Sequence, residues 1–310
     1  MGTYGEPNND TQITTLDTVD HRGVAWTEVR STAYLIHQHF RYEYTGPISD
    51  LRQRLVIIPP EQHGDQRLIT HRLEVSSPTT EVRRELDVFG NLVFSLGVDH
   101  VADAIDFTAW IVVERDAAGG PIRVTPDSYL APSLREPSRL TVPDEALQAA
   151  ADALGPERDD PAALAAHINA WIYAEMNYAH GNTGVRTTAA EAFALRRGVC
   201  QDYAHVMLVL CRLCGLPARY VSGHLLGEGG THAWVEVLLP APDHPGQYVA
   251  RPYDPTHGRE PGLDYVTVAV GRDYGDVAPT SGTYTSPFSG HLSARKRAGL
   301  TAVEYFAPRA

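Results

Sequence analysis

Lysine is almost absent from this sequence: of 26 basic residues only Lys296 is a lysine, and the others are arginines. The basic residues are scattered and outnumbered, with a net charge of −12, so no face is expected that could neutralise nucleic-acid phosphates. Cysteine is scarce as well. Three in 310 residues make no disulfide framework, and an odd number leaves at least one thiol free. A reducing, cytoplasmic setting is the expectation. Long apolar runs are missing, which argues against a membrane-spanning helix and a membrane partner. The opening stretch MGTYGEPNNDTQITTLDTVDHRG has neither the basic start nor the apolar core of a signal peptide, and residues 1–25 are expected to be a flexible tail.

What is present fits a globular chain with room for two domains, 43% hydrophobic and 21% charged. Residues 26–118 are punctuated like β-structure. AYLIHQHFRYEY is aromatic and β-branched, LITHRLEVSS alternates, NLVFSLGV follows Gly90-Asn91, and DFTAWIVVE closes the series. An antiparallel sandwich or barrel is expected there. Residues 119–143 are dense in Pro, Ser and Gly without a period, and are expected to be a linker.

Residues 144–290 then begin with helical patterns. Leu164, Ile168, Trp171, Ile172 and Met176 recur at helical spacing, Thr188 and Glu191 make a capping-box signature, and DYAHVMLVLCRLCGLP closes on Gly215 and Pro217. ARYVSGHLL, HAWVEVLL and QYVARPYD read as strands, so this half is α+β. Residues 291–310 are left as a C-terminal segment.

The stretch RRGVCQDYAH places Cys200 where a loop ends and an apolar helix begins. Unpaired N–H groups and the helix dipole favour a thiolate in a first turn, while Asp202 in the same turn opposes it. A nucleophilic thiolate also needs a proton-transfer partner and a group to orient that partner. HAWVEVLL and QYVARPYD flank the turn-rich PAPDHPG, whose centre, Asp243, is also midway between His232 and Asp254. An antiparallel hairpin on that centre sets the two opposite each other, with Cβ atoms roughly 5 Å apart.

The bland alternative for Cys200 is a small buried residue. Cys211 and Cys214 fit that description: they lie roughly 16 and 21 Å further along the same helix, with no partner in view. Their CxxC spacing lacks a second ligand pair, so no metal site is expected. His205 and His224 read as structural histidines, and His257, in DPTHG, as part of an exposed turn. Trp234 and Glu236 alternate with His232 and share its strand face, Trp234 for packing.

GVCQDYAHVMLVLCRLCGLPARYVSGHL, THAWVEVLLP, YDPTHG and VAVGRDYGDVAPTSGTY, in that order, resemble the motifs of the bacterial transglutaminase-like cysteine peptidases, a group of the transglutaminase-like superfamily. RYEYTGPI, the Pro59-Pro60 strand end and LDVFGNLV resemble the β-rich region that precedes this domain in bacterial members. The resemblance implies a papain-like core of helices on an antiparallel sheet, with Cys200 as nucleophile, His232 as general acid/base and Asp254 as orienter. It further implies that the Cys200 N–H contributes to an oxyanion hole. Gln201, Tyr178, Tyr203, Trp234, Asp273 and Tyr274 stand in motif positions as candidate cleft-lining residues, each with a structural role as the alternative.

No cofactor and no metal is implied. The expected partner is a peptide or amide substrate, with the oligomeric state left open. Three readings follow: a thiol hydrolase, an acyltransferase using the same thioester with an amine acceptor, and a binding module that has kept the fold. The intact set of three residues counts against the module, and the absence of a calcium-loop pattern favours hydrolysis over transfer.

Overall fold

The structure, a computed structural model, describes residues 2–4, 18–155, 160–242 and 244–307. The N-terminal half contains β1 (Gly2–Tyr4), β2 (Val29–Tyr44), β3 (Ile48–Ile58), β4 (Gln62–His63), β5 (Gln66–Val75), β6 (Glu81–Leu86), β7 (Leu92–Val101) and β8 (Ala104–Asp116). In β2, Tyr34, Ile36 and Phe40 occupy alternate buried positions. In β8, Ile105, Phe107, Ala109, Ile111 and Val113 do the same. This period of two makes each strand a half-buried element of a sheet. The sheets β1-β5-β8-β2 and β3-β7-β6 are antiparallel and share a core that includes Tyr34, Phe40, Leu55, Ile57, Leu73, Phe94 and Phe107. They form the expected sandwich.

The rest of the chain adds β9 (Ile122–Val124), α1 (Pro126–Leu130), α2 (Glu145–Leu154), α3 (Pro161–Glu175), β10 (Asn177–Tyr178), α4 (Ala189–Leu195), β11 (Arg197–Gly198), α5 (Cys200–Leu213), β12 (Ala218–Leu225), β13 (His232–Pro240), β14 (Tyr248–Tyr253), β15 (Tyr265–Gly271) and α6 (Tyr274–Val277). Helix α5 is buried on all sides from Gln201 to Arg212, its apolar run from Val206 to Cys211 included. One side packs on Ala233, Val235 and Val237 of β13, the other on residues of α2, α3 and α4 such as Leu147, Ile168 and Phe193. The sheet runs β15-β12-β13-β14-β9, giving helices packed on an antiparallel sheet. The capping box of α4 forms as its sequence predicts: Glu191 N donates to Thr188 Oγ1 at 3.3 Å and Thr188 N to Glu191 Oε2 at 2.8 Å.

Three expected boundaries fall elsewhere in the structure. Residues 119–143 do not hang free, because β9 pairs with β14, Leu134 and Leu140 are buried, and Leu140 N donates to Asp273 Oδ2 at 3.2 Å. Proline and serine break regular elements there without preventing its few apolar residues from docking. The C-terminal segment is β17 (Gly290–Tyr305), paired with β2, and it follows β16 (Thr280–Thr285), paired with β3. The α+β segment is therefore inserted into the sandwich. Of the expected tail, Gly2–Tyr4 pair with β5 and Val19 N donates to Leu300 O at 2.6 Å, while residues 5–17 lie outside the described residues.

The sandwich grips the sheet of the α+β segment through polar side chains. Gln66 donates to Thr267 O and accepts from Thr267 N, both at 2.8 Å; Asn91 does the same at Val270, both at 2.7 Å. These two amides satisfy backbone groups of the edge strand β15. Arg115, held by Asp65, donates to Gly262 O at 2.5 Å and Tyr265 O at 2.6 Å. The segment entering β15 is thus fixed from the other domain.

Candidate active site

Cys200 is the first residue of α5, as the loop-to-helix transition predicts. The turn before it is fixed by Asp202, whose Oδ2 accepts from Val199 N at 2.8 Å and from Thr183 Oγ1 at 2.6 Å. Burial raises the Asp202 pKa, against these two hydrogen bonds. This packing explains the glycine of RRGVC: a Cβ on Gly198 would sit 2.4 Å from Asp202 Oδ2 and 2.6 Å from its Cβ. Gly198→Ala is expected to cost about 1–3 kcal/mol through this overlap, measured as a lower melting temperature. An unchanged melt would show that the turn can relax.

His232 opens β13 and is 1% exposed. Its Nε2 lies 2.7 Å from Asp254 Oδ2, which leaves Nδ1 as the nitrogen for the Cys200 thiol. Burial alone would lower the His232 pKa. The hydrogen bond with Asp254, and then the proximity of Cys200 and Glu228, override it, and the net direction is upward. Asp254 is fully buried, which would raise its pKa, but hydrogen bonds with His232, His257 and Tyr265 hold it below the usual carboxylate range.

Proximity of His232 and Asp254 is reached by a different register from the expected one. The hairpin pairs Val235 with Tyr253, and Ala241 N donates to Gln247 O at 2.9 Å, so its centre falls at His244, one residue beyond Asp243. Asp243 itself lies outside the described residues. His232 is therefore beyond the paired ladder. Asp254 leaves β14 and bridges to Arg259, and this bend turns its carboxylate back to the histidine.

The other expected positions divide. Tyr178 is half-exposed, and burial and then its proximity to Cys200 raise the phenol to about 12; its ring lies 6.3 Å from that of the buried Tyr203. Gln201 is buried and turns to the loop before α4, donating to Gly184 O at 3.4 Å. Trp234 is buried with its ring edge-on to Tyr265 at 5.4 Å. Asp273 accepts from Gly275 N and Leu140 N, and Tyr274 N donates to His205 Nε2, so both hold neighbouring backbone together. Burial lowers His205 and His224 to about 4, keeping them neutral, and raises the Cys211 thiol.

Three groups at the site are given no chemical role by the sequence. Tyr265 donates to Asp254 Oδ2 at 2.7 Å, and His257 Nδ1 lies 2.7 Å from the same oxygen. His257 is in a turn as expected, but that turn folds it onto Asp254, and its side chain is one-third exposed. Glu228 faces both imidazoles, with oxygens 3.3 Å from His232 Nδ1 and 3.3 Å from His257 Nε2. The i, i+3 spacing of Asp254 and His257 was a legible signal; Glu228, on the loop between β12 and β13, gave none. His232, Asp254 and His257 offer ligand-type atoms within 4.8 Å of one another, but these atoms are joined by hydrogen bonds, so the cluster reads as a proton network.

Helices on an antiparallel sheet, with a thiol at a helix start against a buried histidine–carboxylate pair, define the class of cysteine-dependent hydrolases and transferases. Comparison with known proteins places the chain more closely. The model of the transglutaminase-like superfamily matches residues 148–251, and that of the bacterial transglutaminase-like N-terminal region matches residues 34–114. An uncharacterized protein of Mycobacterium leprae is 30% identical over 275 residues, 83% of this chain and 92% of that protein. One from Mycobacterium tuberculosis is 26% identical over 276 residues, 80% and 86% of the two chains. The crystal structure of a candidate cysteine protease from Cytophaga hutchinsonii, 21% identical, has the same fold, with a TM-score of 0.70 over 90% of this chain and 94% of that one. The chain belongs to the transglutaminase-like superfamily.

Proposed function

We propose that the protein is a hydrolase of a peptide, isopeptide or amide bond that acts through a thioester on Cys200. The position of His232 carries this reading: Asp254 takes Nε2 at 2.7 Å, so Nδ1 is the nitrogen available to the thiol. In the reaction, the Sγ–H proton of Cys200 passes to His232 Nδ1 and Sγ attacks the carbonyl carbon, while the N–H groups at the start of α5 receive the developing oxyanion. His232 Nδ1–H gives its proton to the leaving nitrogen, the C–N bond breaks and the thioester remains. Water then loses a proton to Nδ1 as its oxygen attacks. The C–S bond breaks, releasing the carboxylic acid, and the proton on Nδ1 returns to Sγ.

Alkylation by iodoacetamide, followed across pH by peptide mapping, tests the assignment. Cys200 is expected to react at least about tenfold faster than the buried Cys211 and half-buried Cys214, with a profile that His232→Ala flattens. Equal labelling of the three thiols, or a profile unchanged by His232→Ala, would sink the reading. Screening a peptide library with and without a primary amine separates the two fates of the thioester. Free acid in both arms marks a hydrolase, and a new amide in the second marks an acyltransferase.

A further inference from the structure

Four ionisable side chains close a circuit beside the thiol. Asp254 Oδ2 lies 2.7 Å from both His232 Nε2 and His257 Nδ1. Glu228 spans the opposite nitrogens, Oε2 at 3.3 Å from His232 Nδ1 and Oε1 at 3.3 Å from His257 Nε2. The two rings are 5.3 Å apart between centroids. His232 and Asp254 are sealed inside, whereas His257 and Glu228 are 34% and 40% exposed at the open side.

A reaction that needs one histidine, one thiol and one carboxylate does not account for the other two members. Without His257, two carboxylates would press on a single imidazole and hold its proton too firmly for transfer to a leaving group. With it, each carboxylate is shared between two rings. We propose that His257 is a charge-balancing, positioning residue of the Cys200–His232 couple, dividing Asp254 and Glu228 with His232 so that neither carboxylate acts on the reacting imidazole alone. This rests on the reading of Cys200 as the nucleophile.

The surroundings of His257 keep it charged. Its own turn presents Asp254, and the loop after β12 presents Glu228; His232 faces it from β13, and Tyr265 of β15 donates to the same Asp254 oxygen. Arg259 is committed to Asp264 at 2.7 Å, and Tyr173 of α3 lies against Gly258. The hydrogen bonds with Asp254 and then Glu228, outweighing burial, raise the His257 pKa to about 9. His232 and then His257 lower Glu228 to about 2, so His257 and Glu228 are both ionised at neutral pH.

The test compares the pH profile of Cys200 alkylation by iodoacetamide in the wild type, His257→Asn, Glu228→Gln and the double variant, with His257 followed by NMR titration. Asparagine keeps a neutral donor for Asp254. Removing the positive charge is expected to move the acid midpoint of the Cys200 profile to higher pH, and removing the negative charge to lower pH, by about 0.5 or more each. The double variant should return close to the wild type. A merely structural role would displace both single variants the same way. That result, no displacement, or a double variant that fails to return overturns the proposal. The NMR arm stands apart from the thiol: the His257 midpoint should fall from about 9 in Glu228→Gln. Failure of wild-type Cys200 to react while His257 shifts would reject the nucleophile instead, and an unmoved His257 would reject the shared circuit.

Discussion

Asp254→Asn is expected to slow acylation of Cys200 by about 10³–10⁴-fold while leaving the chain folded. Asp254 accepts at both oxygens: Oδ2 serves His232, His257 and Tyr265, and Oδ1 accepts from Thr256 N at 2.9 Å. An amide supplies only one acceptor oxygen. If its NH2 faces Thr256, a buried donor meets a donor; if it faces the histidines, His232 must offer Nε2 as acceptor and carry its proton on Nδ1. The second arrangement removes the lone pair that takes the proton from Sγ. Either arrangement also removes the charge that favours the imidazolium, while the unsatisfied group costs about 1–3 kcal/mol of stability. The release of p-nitrophenolate from p-nitrophenyl acetate reads the acylation rate, and circular dichroism reads the fold. A folded variant that acylates at the wild-type rate would remove Asp254 from the mechanism. Global unfolding would make it a structural residue.

The parts of the site that were legible in sequence are those set by local rules. A loop ending in Gly198-Val199 before an apolar run places Cys200 at a helix start, and α5 begins there. Two strand patterns around a turn bring His232 near Asp254 even though the register differs, because the bend after Tyr253 makes up the difference. What was illegible depends on neighbours distant in sequence. β17 has almost no buried side chains before Leu300, so its strand is specified by backbone pairing along β2 rather than by alternation. Residues 119–143 lack a period, yet Leu134 and Leu140 find apolar sites that only the finished fold provides. Glu228 follows Gly227, which has φ +92°, and its position is set by two histidines from elsewhere in the chain.

The same dependence on distant partners makes Arg219→Met the most damaging change expected outside the site. Arg219 and Glu236 are cross-strand neighbours on β12 and β13, and the guanidinium approaches Glu236 Oε2 to 2.6 Å. His63 of the sandwich completes the pairing at 2.7 Å on Oε1, so the fully buried carboxylate joins the two domains. Burial would raise the Glu236 pKa, but Arg219 and then His63 override it and bring it to about 2. A depressed carboxylate adds stability above its ordinary pKa of 4.5 and loses it as the pH falls toward about 2. Removing Arg219 leaves the charge with half its compensation, at a cost of about 3–5 kcal/mol at pH 7. In the variant the carboxyl protonates more readily, so the deficit should narrow as the solution is acidified. Urea unfolding at pH 7 and pH 5 reads both effects. A deficit below about 1 kcal/mol at pH 7, or one that widens in acid, would refute the buried-charge account. Arg219→Met with Glu236→Leu should recover most of the loss, since an apolar pair of similar volume needs no compensation. Recovery would separate the penalty of an unpaired charge from any loss of domain docking through His63, which the double variant also lacks.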